Sequence, residues 1–180
     1  MAEVVSASPS SLAVPAGNPT MVGLSEIRVI RGTLRPEETL VAYGLGSCVA
    51  ICLFDAGSQV AGMAHVVLPG TDPTGAQNAK YAQSALPAMI ARMQSQGAGD
   101  PRRYVARLAG GAQILRLGGS GTLPRIGDQN ALAVQEALKS NGILVKGTDL
   151  GGSKGRSVWF NPGEGGRIRV RTVGSAERCL

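Results

Sequence analysis

The stretch from Gly44 to Pro69 reads GLGSCVAICLFDAGSQVAGMAHVVLP, and the fold is organised around it. Val49 to Phe54 is an unbroken apolar run, Asp55-Ala56-Gly57-Ser58 is turn chemistry, and Gln59 to Pro69 is a second strand-like run. The pattern predicts one β-hairpin. With the turn centred between Ala56 and Gly57, antiparallel pairing sets Cys48 directly opposite His65, the only histidine in the chain. Opposed side chains have Cβ atoms about 4.5–5.5 Å apart. That is within reach for an imidazole to take a thiol proton, and the thiolate is the nucleophilic form of cysteine. The same spacing also admits a buried small cysteine and a hydrogen-bonded core histidine. A one-residue slip in register would put the two on opposite faces.

Outward from the hairpin, the chain alternates strand and helix patterns. Residues 1–22 are rich in Ser, Ala, Pro and Gly and carry one charge, Glu3, so a disordered tail is expected there. Strands are expected over Gly23–Arg31, Tyr104–Ala109, Ile143–Thr148, Ser157–Asn161 and Arg167–Val173, and Thr39–Tyr43 leads into the glycine turn at Gly44 and Gly46. Leu86, Met89, Ile90 and Met93 recur at helical spacing within 76–96, with Gly97 as a stop and Pro87 as a kink or a junction of two helices. Asp128 is placed to cap a second helix that runs to Ser140 and closes at Asn141-Gly142. Ser120-Gly121 reads as loop. The order gives an α+β, mixed α/β fold rather than a repeated βαβ winding. One domain is expected over 23–175, with a short tail at 176–180.

Composition narrows the function classes. In 180 residues there are 26 glycines and aromatic content is 3%, so the core must rest on Val, Leu, Ile, Ala and Met. No apolar run approaches the roughly 18 residues needed to span a bilayer, so membrane insertion is not expected. Three cysteines form no framework, which points to a reducing, cytoplasmic setting. The net charge of +6 favours an acidic partner. Only Arg102-Arg103 are adjacent and no aromatic series runs among the cations, so specific nucleic-acid binding is not expected.

Other constellations are weaker. Cys48, Cys52, Cys179 and His65 lack the spacing of a structural zinc site, so no metal is expected. A Cys48–Cys52 disulfide would have to bridge about 13 Å of extended strand. Gly44-Leu45-Gly46-Ser47 has no following Lys-Ser/Thr and is a poor phosphate loop. Gly151-Gly152-Ser153-Lys154-Gly155-Arg156 reads either as a connection or as a mobile loop whose Lys154 and Arg156 touch an acidic partner. Asp128 and Asp149 have no partner carboxylate at a spacing suited to paired acid–base work.

Several blocks together resemble one family. Gly44-Leu45-Gly46-Ser47-Cys48-Val49 followed by Ala64-His65-Val66-Val67-Leu68-Pro69 is similar to the signature of the CheD family of chemoreceptor glutamine deamidases. Lys80-Tyr81-Ala82, Gly110-Gly111-Ala112-Gln113, Ile126-Gly127-Asp128-Gln129-Asn130 and Asp149-Leu150-Gly151-Gly152 with Gly155-Arg156-Ser157-Val158 continue it in the family's order, over residues 24–173. The resemblance implies layered sheets with flanking helices, as in toxin-type cysteine glutamine deamidases. It implies hydrolysis of glutamine side chains on the cytoplasmic helices of methyl-accepting chemoreceptors, with methylesterase activity in some relatives and no cofactor. Cys48 takes the nucleophile's position and His65 the base's. The backbone of Gly46, Ser47 and Cys48 would face the oxyanion. Gly110, Gly111 and Gln113 would lie on a surface shared by receptors and a CheC-type phosphatase. The family's third position, often threonine, maps to Ala42, so the orienting role passes to a backbone carbonyl or to Thr39. A binding module without efficient catalysis is the competing expectation.

Overall fold

The computed structural model describes residues 19–32, 38–114 and 125–180. Among these, one sheet holds β1 (Thr20–Met21), β3 (Leu40–Leu45), β8 (Arg156–Phe160), β9 (Ile168–Thr172) and β10 (Arg178–Cys179), adjacent in that order. The other holds β2 (Ile27–Arg31), β5 (Val60–Val66), β4 (Val49–Asp55), β6 (Val105–Gly110) and β7 (Leu144–Leu150), adjacent in that order. Two helices, α1 (Ala82–Ser95) and α2 (Ile126–Ser140), cover the outer face of the second sheet. The architecture is therefore α+β in three layers, sheet on sheet on helices.

The central strand β4 shows why the layers form. Val49, Ile51 and Leu53 point to the helices and join Leu86, Met89, Val134 and Leu138 in one core. Ala50, Cys52 and Phe54 point the other way and join Ala42, Leu45, Val158 and Phe160 between the sheets. A strand buried on both faces has no polar alternation, which accounts for the unbroken apolar run. The β6–α2–β7 segment is a parallel crossover, while β4 pairs antiparallel with both β5 and β6.

Both helices end as their sequences indicate. Gly97 takes φ +93° and Gly142 φ +66°, and the paired bonds Ala98 N–H to Met93 and Ile143 N–H to Leu138 close each C-terminus. Their starts differ from expectation. Asp128 is the third residue of α2, where its charge favours the helix N-terminus, and Arg125 holds the cap position without a side-chain cap bond. Pro87 lies inside one continuous helix, on its exposed side, so neither two helices nor a junction is formed.

The domain edges also differ. Residues 1–18, and Ser120-Gly121, lie outside the described residues. The tail expected over 1–22 gives way at its end to β1, which pairs in parallel with β3, and Val22 is buried. At the other end, Arg178 and Cys179 pair with β9, so 176–180 carries a strand rather than a tail.

Candidate active site

The hairpin's register is two residues from the expected one. Val60 pairs with Asp55 and His65 with Ala50, so Cys48 lies beyond the last rung, Val49–Val66. The cause is in the turn. Asp55 stays in the ladder, its carboxylate accepting from Gly57 N–H and Ser58 Oγ–H, and Gln59 takes the left-handed conformation at φ +57°. The loop is thus Ala56 to Gln59. A shift of two preserves the face, so Cys48 and His65 still point into the layer between the sheets. They are diagonal neighbours, for which Cα atoms lie about 7–8 Å apart.

His65 is held by the segment before β2. Its N–H donates to Glu26, its carbonyl accepts from Ser25, and its Nδ1 lies 3.1 Å from the Val22 carbonyl. A carbonyl only accepts, so Nδ1 carries the proton and Nε2 the lone pair. Nε2 is buried without a hydrogen-bond partner among the described residues. Burial holds the imidazole below its ordinary pKa, partly offset by the bond to Val22. Cys48 is half-buried; burial pushes its thiol up, partly offset by its own backbone N–H. At neutral pH the resting pair is therefore a thiol and a neutral imidazole.

The loop that carries Cys48 is fastened by the stretch that follows β6 and by α2. Gly111 N–H donates to the Cys48 carbonyl at 2.8 Å and Ala112 N–H to that of Gly46 at 2.7 Å. Gly110 has φ +122°, and a Cβ there would run into the Cys48 carbonyl. Gly127 in the first turn of α2 packs so tightly that a Cβ would come within 2.5 Å of the Gly111 carbonyl. Asn130, on the same helix and fully buried, donates from Nδ2 to the carbonyls of Ser47 and Val67, each at 2.9 Å.

The expected partner surface is reassigned in part. Gly110 and Gly111 are buried backbone supports. Arg156 is only 4% exposed. Its Nη1 meets the Asp149 carboxylate at 2.9 Å and donates to the carbonyls of Gly110 (3.0 Å) and Asp149, while Nη2 donates to that of Gly151. It is a clamp inside the fold, not a hand held out to a partner. Lys154 is exposed, and Gln113 is half-buried with its N–H on the Gly152 carbonyl. Ala42 is fully buried between the sheets. Thr39 accepts from Asn161 at 3.3 Å, and it is the Val22 carbonyl that meets His65.

Two groups receive no role from the sequence. Val22 acts through its main chain, which leaves no mark in side-chain type. Asn130 does leave one: it falls on the buried stripe of α2 with Gly127, Ala133, Val134 and Ala137, where an apolar residue would be ordinary.

Comparison with known proteins bears on this arrangement. The family model described as CheD, CheD chemotactic sensory transduction, matches residues 67–172. The chain is 41% identical over 149 residues to the probable chemoreceptor glutamine deamidase CheD of Archaeoglobus fulgidus, covering 83% of this chain and 90% of that one. It is 38% identical over 162 residues to the chemoreceptor glutamine deamidase CheD of Halalkalibacterium halodurans, covering 87% and 95%. Among solved structures, the hypothetical protein YfiH of Bacillus licheniformis aligns over 69% of this chain and 50% of its own, at 16% identity and a TM-score of 0.43. With the curated relatives matched over nearly their whole length and the family model over more than half of this chain, the chain belongs to the CheD family.

Proposed function

We propose that this protein deamidates glutamine side chains on the cytoplasmic helices of chemoreceptors, with Cys48 as nucleophile and His65 as general base. The observation that carries the reading is the state of His65: Nδ1 is committed to the Val22 carbonyl, and Nε2 is left as a buried lone pair on the sheet face it shares with Cys48. The names of the relatives supply the substrate class.

His65 Nε2 takes the thiol proton as the Cys48 sulfur attacks the amide carbon. Backbone N–H groups at Gly46, Ser47 and Cys48 receive the developing oxyanion. The imidazolium returns its proton to the amide nitrogen, and ammonia leaves a glutamyl thioester. Water, deprotonated by His65, adds to that thioester; the C–S bond breaks, the imidazolium returns its proton to the departing sulfur, and glutamate is released with the thiol regenerated. Exposed Lys154 suits the acidic surface of a receptor helix.

Mass spectrometry of a receptor cytoplasmic fragment tests this. A gain of about 1 Da at defined glutamines, absent with Cys48→Ser and with His65→Ala, is the expected result. A second reading is favoured by Ala42 and by the two-residue offset: a regulatory module that binds receptors or a CheC-type phosphatase with little turnover. Folded protein that binds the fragment and leaves its mass unchanged would select it.

A further inference from the structure

We infer that Asn130 is a positioning residue for the Cys48–His65 pair, its single amide group setting the separation of the two. The inference rests on the proposed deamidase reading. The β4–β5 ladder that could hold the pair in register stops at Val49–Val66. Beyond it the two chains part. Val67 and Leu68 turn their N–H groups to the Lys80 carbonyl, and Cys48 turns its carbonyl to Gly111. Ser47 immediately precedes the nucleophile, and Val67 follows the base by two residues. Asn130 Nδ2 spends both protons on the carbonyls of these two residues, each at 2.9 Å.

The geometry admits few substitutes. Asn130 is completely buried, on a helix whose Gly127 is pressed against Gly111. The amide therefore has a fixed base, and its position is referred to the same segment that holds the Cys48 carbonyl. Two carbonyls need two donors from one point. An aspartate would turn an oxygen toward both, and an alanine would leave both unpaired.

A buried asparagine that merely completes hydrogen bonds would affect stability alone. The two roles separate in the pH dependence. The full-length protein, His65→Ala, Asn130→Ala and Asn130→Ser are compared by ammonia release from a receptor cytoplasmic fragment between pH 5 and 9, with a thermal melt of each. Expected is that folded Asn130→Ala loses at least about tenfold in kcat with KM within about twofold, and that its rate climbs with hydroxide as in His65→Ala rather than levelling above the histidine limb. Asn130→Ser, which keeps one donor, should fall between. A folded Asn130 variant that keeps the wild-type limb overturns the role and leaves the Cys–His reading intact. A wild type indistinguishable from His65→Ala overturns that reading and this role with it. If neither Asn130 variant is folded at the assay temperature, Asn130 is a residue of the fold and the inference fails.

Discussion

The Nδ1 of His65 lies 3.1 Å from the main-chain carbonyl of Val22. A carbonyl cannot be removed by side-chain mutation, and it cannot change its protonation. The imidazole is thus held in one tautomer by a group that is indifferent to pH.

The pH dependence follows from that tautomer and from burial. His65 is held below its ordinary value of about 6.5, and the proposed general-base role needs it neutral. The acid limb of kcat/KM should therefore lie below pH 6.5, with activity retained above it and lost as pH falls. The same shift sets a stability window. Between the unfolded value and the lower folded one the unfolded chain binds more protons, so His65 adds stability above pH 6.5 that is lost as pH falls through its folded pKa. Urea midpoints measured from pH 7.5 down to 5, for wild type and His65→Gln, check this; a wild-type midpoint that falls no more steeply than the variant's would contradict it.

Ala42→Thr tests whether a hydroxyl is missing. Ala42 is fully buried between the sheets, and His65 already has its orienting acceptor. Turnover should stay within about threefold of wild type, at a packing cost of about 1–3 kcal/mol. A tenfold rise would mean that the Val22 carbonyl is a poor substitute for a side-chain partner.

Gly110→Ala should be far more damaging. The added methyl meets the Cys48 carbonyl, and the backbone is at φ +122°, which side-chain-bearing residues rarely adopt. We expect about 3 kcal/mol of destabilisation or more, and loss of ammonia release in whatever remains folded. Denaturant midpoint and initial rate measured on one preparation would show both.

Arg156 and Lys154 make a matched pair of tests. Arg156→Ala leaves Asp149 with Arg178 as its one remaining cation and takes a charged donor from the carbonyls of Gly110 and Gly151, the first of which still accepts from Gly151 N–H, and should cost about 1.5–3 kcal/mol. Lys154→Ala, on an exposed side chain, should stay within about 0.5 kcal/mol. If the charge of Lys154 attracts receptors, its loss raises KM and weakens the salt dependence while kcat holds.

Much of this was legible in the residues, and the misses have physical causes. The unbroken run Val49 to Phe54 announced a strand, which the structure buries on both faces, and Gly97 and Gly142 marked helix ends because their backbones must turn left-handed. The hairpin register was hidden because the left-handed turn residue is Gln59 rather than the neighbouring Gly57. Arg156, flanked by glycine and serine, has the surroundings of a solvated loop. Its burial is a property of carbonyls converging from distant segments, Gly110 among them, which local composition does not record. Asp128 has the chemistry of a cap, but the tight seat of Gly127 on Gly111 starts the helix earlier. The β1 pairing falls in a stretch whose composition is that of a tail, and two residues of strand are too few for a pattern.

Val22 continues β1 into the first sheet, whereas His65 belongs to the second. The imidazole thus acquires its orientation only when the two sheets close on each other. The β4–β5 hairpin can form early, from neighbours in sequence, and still carry an imidazole free to rotate. In refolding, recovery of turnover should track closure of the sandwich and lag behind backbone structure in the hairpin. Enzymatic competence becomes a timer for the last long-range docking step of the chain.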